Sequence, residues 1–321
     1  MRAAAGVATA TVLSLAASGC VTVHGELAVV PSVSRSEAAQ ALKDFTDAYN
    51  ASDKAYDPKL DAGSVTGAFG AINQAGLKSA SVISPDGNAR HQDLTLTEAK
   101  FAIPKKAGWP RWFLAETDSN RDADSGPGDN TWTLVFVRSA PEQPWKVAYL
   151  TILSPDEIPQ IKTDKDGWAT AVSPGDGSLA VAPKDLSAEY ASYLKTGAPA
   201  HFAPGPHTDG WRSIRDKDAH KPGITTQYID QPVKGGDFAP LGLATKDGGA
   251  MVFFTTRLFD RQTAAKNYTP QIGASVKPLL TGEVKSSLTQ ESVVSEAAAV
   301  PRSGPVVVTG RLQGVIGAEG S

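Results

Sequence analysis
Gly108-Trp109-Pro110-Arg111-Trp112-Phe113 sets two indoles and a guanidinium at the entrance of an apolar run. An arginine so placed can stack on an indole face or clamp a carboxylate, which makes Trp109, Arg111 and Trp112 candidate binding residues. The plainer reading is a hydrophobic cap with Arg111 solvated, because aromatic side chains usually report packing. Thr245-Lys246-Asp247-Gly248-Gly249-Ala250 lies between two other apolar runs, and Asp-Gly there is a tight-turn signature because the turn needs positive φ. Beside that structural reading, Lys246 and Asp247 could meet a partner at a loop tip. His201, His207 and His220 with Asp209, Asp216 and Asp218 crowd the stretch 198–223 and invite a metal or hydrolytic reading. Their spacing opposes it, since there is no H-E-x-x-H, no cysteine partner for zinc and no calcium-loop pattern. That stretch is expected as a flexible loop with solvated histidines, and no metal ligand is assigned. The G-x-S-x-G, Walker and G-x-G-x-x-G patterns are likewise missing, so no catalytic residue and no cofactor is assigned either. One proton-transfer pair is imaginable: His91 and Asp93 before the first strand, facing Asp44 and Asp47 on the first helix. It would make the chain an acid/base isomerase or hydrolase with a pocket in its first domain, the alternative to a binding role.

The elements that must position these groups follow from periodicity. Ala38, Leu42, Phe45 and Tyr49 form one stripe of a helix capped by Ser34 or Ser36. A short helical piece is expected from Asp57-Pro58, and another over Gly67–Leu77 with Phe69, Ile72 and Leu77 inward and Gly76 near its end. After the turn cluster Pro85-Asp86-Gly87-Asn88 the period changes to that of strands, at 94–103, 110–117, 131–138 and 145–153. Their short links favour an antiparallel meander. The Pro-, Asp- and Gly-rich stretch 155–184 is expected to connect domains. The order then restarts, with a helix over 185–195 stopped by Gly197 and strands at 224–229, 238–244, 250–259, 286–294 and 306–315. Residues 263–280 read as a helix or as a loop with apolar plugs. The expected class is α+β, with two similar modules, each with an N-terminal helix or helices packed on a curved antiparallel sheet. The modules span 35–154 and 185–318.

The chain has 321 residues, 20% charged and 41% hydrophobic, with 30 Gly and 22 Pro, the profile of one large or two average globular domains. Its 31 basic side chains against 34 acidic ones leave a net charge of -3, with no basic excess to advertise nucleic acid. Residues 1–19 combine Arg2 with an acid-free stretch of small and apolar residues, an export signal too short to be a stable membrane span. Cys20 is the lone cysteine, so an internal disulfide is excluded. Residues 20–34 are expected as a membrane-proximal tether.

Leu15-Ala16-Ala17-Ser18-Gly19-Cys20 resembles the lipobox of bacterial lipoproteins. That resemblance implies cleavage after Gly19 and a diacylglycerol on the Cys20 sulfur, anchoring the protein to the outer face of the cytoplasmic membrane. The membrane would then be one partner, with an envelope protein or a small ligand as another. Residues 55–77, 108–116, 133–153 and 245–254 are similar to a family of actinobacterial lipoproteins carrying a domain of unknown function. The helix-then-meander order, ending in Pro144-Trp145-Lys146-Val147-Ala148-Tyr149-Leu150, resembles the cone-shaped nuclear-transport-factor-2-like fold. In such a cone, residues at a strand entrance can line a pocket between sheet and helix.

Overall fold
A computed structural model describes residues 28–321; the signal 1–19, Gly19 and Cys20 lie outside the described residues. The described chain begins with β1 (Val30–Pro31), followed by α1 (Arg35–Ala55). Ser34 caps α1 by accepting from the Glu37 N–H at 3.1 Å, and the stripe Ala38, Ala41, Leu42 and Phe45 is buried. Between α1 and α2 (Gly67–Ile83) the expected short helix at Asp57-Pro58 is instead a run of turns. Asp61 organises it: its buried carboxylate accepts from Ser52 at 3.0 Å, Asn73 at 2.6 Å and Gln74 at 2.5 Å, tying both helices together. α2 continues past Gly76, which lies in open space where no αL stop is imposed.

Then come β2 (Leu96–Ala102), β3 (Lys105–Lys106), β4 (Arg111–Ser119), β5 (Thr131–Arg138) and β6 (Lys146–Leu153). The larger strands form an antiparallel sheet in the order β2-β4-β5-β6, close to the expected meander. The tether expectation fails over its described part. β1 pairs with β3, and Ser32 and Val33 are buried, because the Ser32 N–H donates to Pro104 at 2.9 Å and Val33 joins the apolar core beneath α1.

The second half comprises α3 (Pro183–Thr196), α4 (Asp209–Asp218), β7 (His220–Lys221), β8 (Ile224–Val233), β9 (Leu241–Ala244), β10 (Ala250–Ala264), β11 (Leu280–Gly282), β12 (Ser287–Val300) and β13 (Val307–Gly320). Gly197 ends α3 in the left-handed region, at φ 77, as expected of a C-terminal glycine. Its seven-stranded sheet runs β11-β13-β12-β10-β8-β7, with β9 paired to β10. Helix α4 overturns the flexible-loop expectation for 198–223. Between β10 and β11 the chain is a loop whose buried Val276 and Leu279 are the apolar plugs.

Strand alternation gives each sheet two faces, and every one of the four finds a cover. Phe113, Leu134 and Phe136 meet Phe45 of α1. The opposite face of the same sheet, with Trp112, Leu114, Val135 and Tyr149, packs on Met251, Phe253, Val293 and Ala297 of the second sheet. The far face of that sheet carries Val252, Phe254 and Ala298 against Leu186, Tyr190 and Leu194 of α3. The two halves therefore share a core. Contact is close enough that a Cβ at Gly310 of β13 would run into Leu153 and Thr151 of β6. The 155–184 connection is likewise stitched to both halves, through bridges Pro104–Ala169, Ile161–Thr245 and Ala171–Leu243.

Candidate functional site
Trp109 and Arg111 stand at the end of the first sheet where β4 begins. The Arg111 guanidinium lies 4.8 Å from the Trp109 ring centre, and Arg138, its cross-strand neighbour, lies 5.0 Å from the same ring. Arg138 also covers Trp145 at 4.8 Å, so guanidinium and indole alternate along a short ladder. Glu37 in the first turn of α1 fixes it, accepting from Arg138 at 2.8 Å and from the Trp145 indole at 3.1 Å. Trp112 does not join them. Strand alternation turns it to the opposite face, where it is buried between the two sheets and can touch no ligand. Of the three candidates, Trp109 and Arg111 are together and Trp112 is a packing residue.

Aromatic side chains fill the space between α1 and the first sheet. Phe113 stacks on Phe136 at 4.7 Å and 2°, Phe45 meets Phe136 edge-on at 6.0 Å, and Trp145 closes the end against Phe113 at 5.0 Å. A groove of about 830 Å³ lies between the β2–β4 surface and residues 155–163, and a smaller one of about 530 Å³ lies between α1 and residues 93–96. Glu98, Glu116, Asp118, Asp124 and Asp129 line the larger groove, opposed by Lys100. Burial pushes the Glu116 carboxyl above its usual range, with Lys100 pulling the other way. Beside the groove, β2 is an edge strand broken by a bulge at Glu98, whose φ is 50. That bulge and the charges around it discourage the pairing of another strand.

Lys246 and Asp247 occupy a tight turn between β9 and β10, with Gly248 at φ 91. Asp247 accepts from the Thr245 hydroxyl and from the Gly249 N–H, and these bonds hold its carboxyl below the usual range. The ammonium of Lys246 donates to Gln160 at 3.2 Å, so this turn buttresses a residue of the groove wall.

His91 is clamped, Nδ1 at 2.6 Å from Asp53 and Nε2 at 2.8 Å from Asp93, and the Asp53 bond, then the Asp93 bond, raise its pKa. The α1 carboxylate facing it is Asp53, whereas Asp47 pairs with Lys43 and Asp44 accepts from Gln40. With both ring nitrogens engaged, His91 serves as a strut between α1 and the start of the sheet. His201 bonds Glu189 at 2.6 Å, and His207 accepts through its carbonyl from Tyr190, so the loop histidines do not converge. Among the described residues no group of three or more His, Cys, Asp or Glu side chains is placed to hold a metal.

A buried polar cluster under α4 escaped the sequence reading. Glu296 is fully buried and accepts from the Thr256 N–H at 3.0 Å and from the Thr256 hydroxyl. Arg311, its neighbour across β12 and β13, lies 4.3 Å from the Trp211 ring centre and donates to Gln313 at 2.7 Å. Arg215 of α4 makes a two-bond pair with Asp230, at 2.6 and 2.9 Å. The available signal was Glu296 itself, the lone charge in the run Ser292–Val300.

The profile of a family described as a domain of unknown function (DUF8094) matches residues 29–320. The chain is 52% identical to an uncharacterized lipoprotein of Streptomyces coelicolor, over 98% of this chain and 94% of that protein. It is 50% identical to an uncharacterized lipoprotein of Streptomyces avermitilis, over 92% and 87%. A second uncharacterized lipoprotein of Streptomyces coelicolor is 27% identical over 64% of this chain and 59% of that protein. No solved structure matches.

Proposed function
The chain belongs to the DUF8094 family, and from that premise we propose that it is a lipid-anchored envelope protein that binds a partner or small ligand without catalysis. Cys20 carries the lipid after cleavage behind Gly19, and the folded body sits at the outer face of the cytoplasmic membrane. The lipoprotein names of its relatives support the anchor, and among the described residues no helix is long and apolar enough to cross a membrane. One observation carries the binding reading: stacked phenylalanines fill the interior of the first half, while a polar groove of about 830 Å³ runs over its outside at β2 and β4. A ligand there meets carboxylates and threonines, and Lys246 supports the groove through Gln160. We also read the two helix-then-sheet halves as copies of one cone-like architecture, on their shared element order.

The test begins with intact mass and membrane partition in a native-like host, wild type beside Cys20→Ala. Wild type is expected to gain acyl mass and sediment with membrane, while the variant is not acylated. Photo-crosslinkers at Thr97 and Asp118 in the anchored protein then capture the occupant of the groove. Charge reversal at Asp118 and Asp129 should reduce that capture. A capture yield unchanged by reversal would overturn the groove assignment.

A further inference from the structure
The polypeptide enters the fold at one particular end. β1 pairs with β3 (Val30↔Lys106, Pro31↔Lys105), and the preceding Val29 is 65% exposed. The same end holds Trp109, Arg111, Arg138 and Trp145, since β4 begins there and β5 ends there. Lys105, Lys106 and Lys146 add three ammonium groups around it. Of the acids nearby, Glu37 is engaged by Arg138, Asp164 and Asp166 share Lys105 at 2.7 and 3.5 Å, and Glu142 is exposed in the β5–β6 hairpin, which leaves Arg111, Lys106 and Lys146 in excess. The opposite end differs in sign. β4 runs eight residue steps, about 26 Å at strand rise, from Arg111 to Ser119. Its far end opens on Glu116, Asp118, Asp124 and Asp129 in the groove lining. A chain of net charge -3 is thus polarised along its first sheet, basic where it enters and acidic where the groove lies.

We propose that the basic, tryptophan-bearing end rests on the headgroup layer of an anionic phospholipid bilayer and holds the acidic groove away from it. This rests on the lipid-anchor reading of Cys20. Two physical terms favour it. Eight residue steps lead from Cys20 to Ala28, so even a fully extended tether reaches at most about 28 Å. The face around the entry point is therefore kept within that distance of the bilayer. Basic side chains are drawn to an anionic leaflet, and indoles partition to the headgroup level. The acidic end is repelled by the same field, so the two ends orient the body in one sense.

The experiment uses the mature, acylated protein reconstituted in vesicles of phosphatidylcholine alone or mixed with phosphatidylglycerol, with a lipid quencher placed at headgroup depth. Tryptophan quenching is expected to be at least about twofold greater in the phosphatidylglycerol vesicles, to fall for Trp109→Phe, and to lose its lipid preference in a Lys106→Glu, Lys146→Glu double variant with unchanged circular dichroism. Equal quenching in both vesicles, or a preference that survives the double variant, would overturn the proposal. Intact mass of the same sample reports separately on the anchor. Should acyl mass be missing, the chain from Val21 onward, which keeps every residue of the described fold, is sedimented with the same vesicles. Salt-sensitive recovery with phosphatidylglycerol then sustains the basic face although the anchor has failed, and equal recovery with both vesicles sinks it.

Discussion

Glu296 shows what one misplaced-looking residue does to the energetics. Burial pushes its carboxyl up to about 8 from an ordinary 4.5, against the pull of Arg311 and the Thr256 bonds. The folded protein therefore holds a proton that the unfolded chain has released between those values. Stability falls as pH rises through that window and levels off above about 8. Glu296→Gln keeps the shape and hydrogen-bonding capacity without the charge. Across that window its stability should fall by on the order of 3–5 kcal/mol less than that of wild type, since a tenfold change in proton affinity is worth about 1.4 kcal/mol. Urea unfolding of both proteins at pH 5, 6.5 and 8 checks this, and parallel pH curves would contradict it. At this scale the sequence was legible in part. Trp109 and Arg111 are neighbours in the fold as they are along the chain, where an aromatic and a guanidinium side chain sit two positions apart. Trp112 was grouped with them although strand alternation sends it to the other face. Glu296 was missed because the strands that bury it come together only in the fold, its carboxylate meeting Thr256 forty positions away.

Among the elements, strands were easier to recognise than α4. Thr131–Arg138 was expected with its observed bounds, because an apolar run flanked by turn residues has few other readings. Helix α4 offers no such run. Its inward positions are Trp211 and Arg215, one turn apart, and a guanidinium there replaces the apolar residue that would have marked a buried face. The helix is held by that substitution. Arg215 and Asp230 have side chains only 6% and 1% exposed, so removing one partner strands the other charge in the interior. Asp230→Ala should cost roughly 3–5 kcal/mol. Hydrogen exchange should show α4 amides losing protection before those of α3. Equal loss in both helices would mean that the ion pair is not what seats α4.

For the molecule as a whole, the two-part order was visible in the sequence, but the sharing of one core was not. Periodicity tells that a strand is buried on both faces; it does not tell whether a helix or another sheet does the covering. Here the second cover of the first sheet is the second sheet, and Gly310 lies at their contact. Calorimetry should accordingly give one unfolding transition with matching calorimetric and van't Hoff enthalpies. Gly310→Val should destabilise by about 1–3 kcal/mol through overpacking and lower that single transition. Two resolved transitions would show that the halves stand alone. The bridged connection has a practical side as well. Its turn around Pro174-Gly175 is exposed, yet residues before it are bridged to β9 and the first half, and the Ala180 N–H beyond it donates to Pro301 at 2.8 Å. A nick at that turn would leave two pieces that each lack a wall of their own interior. Expressed separately, they would serve as complementing fragments, each the folding template of the other, and their reunion could report whether two fused proteins come together.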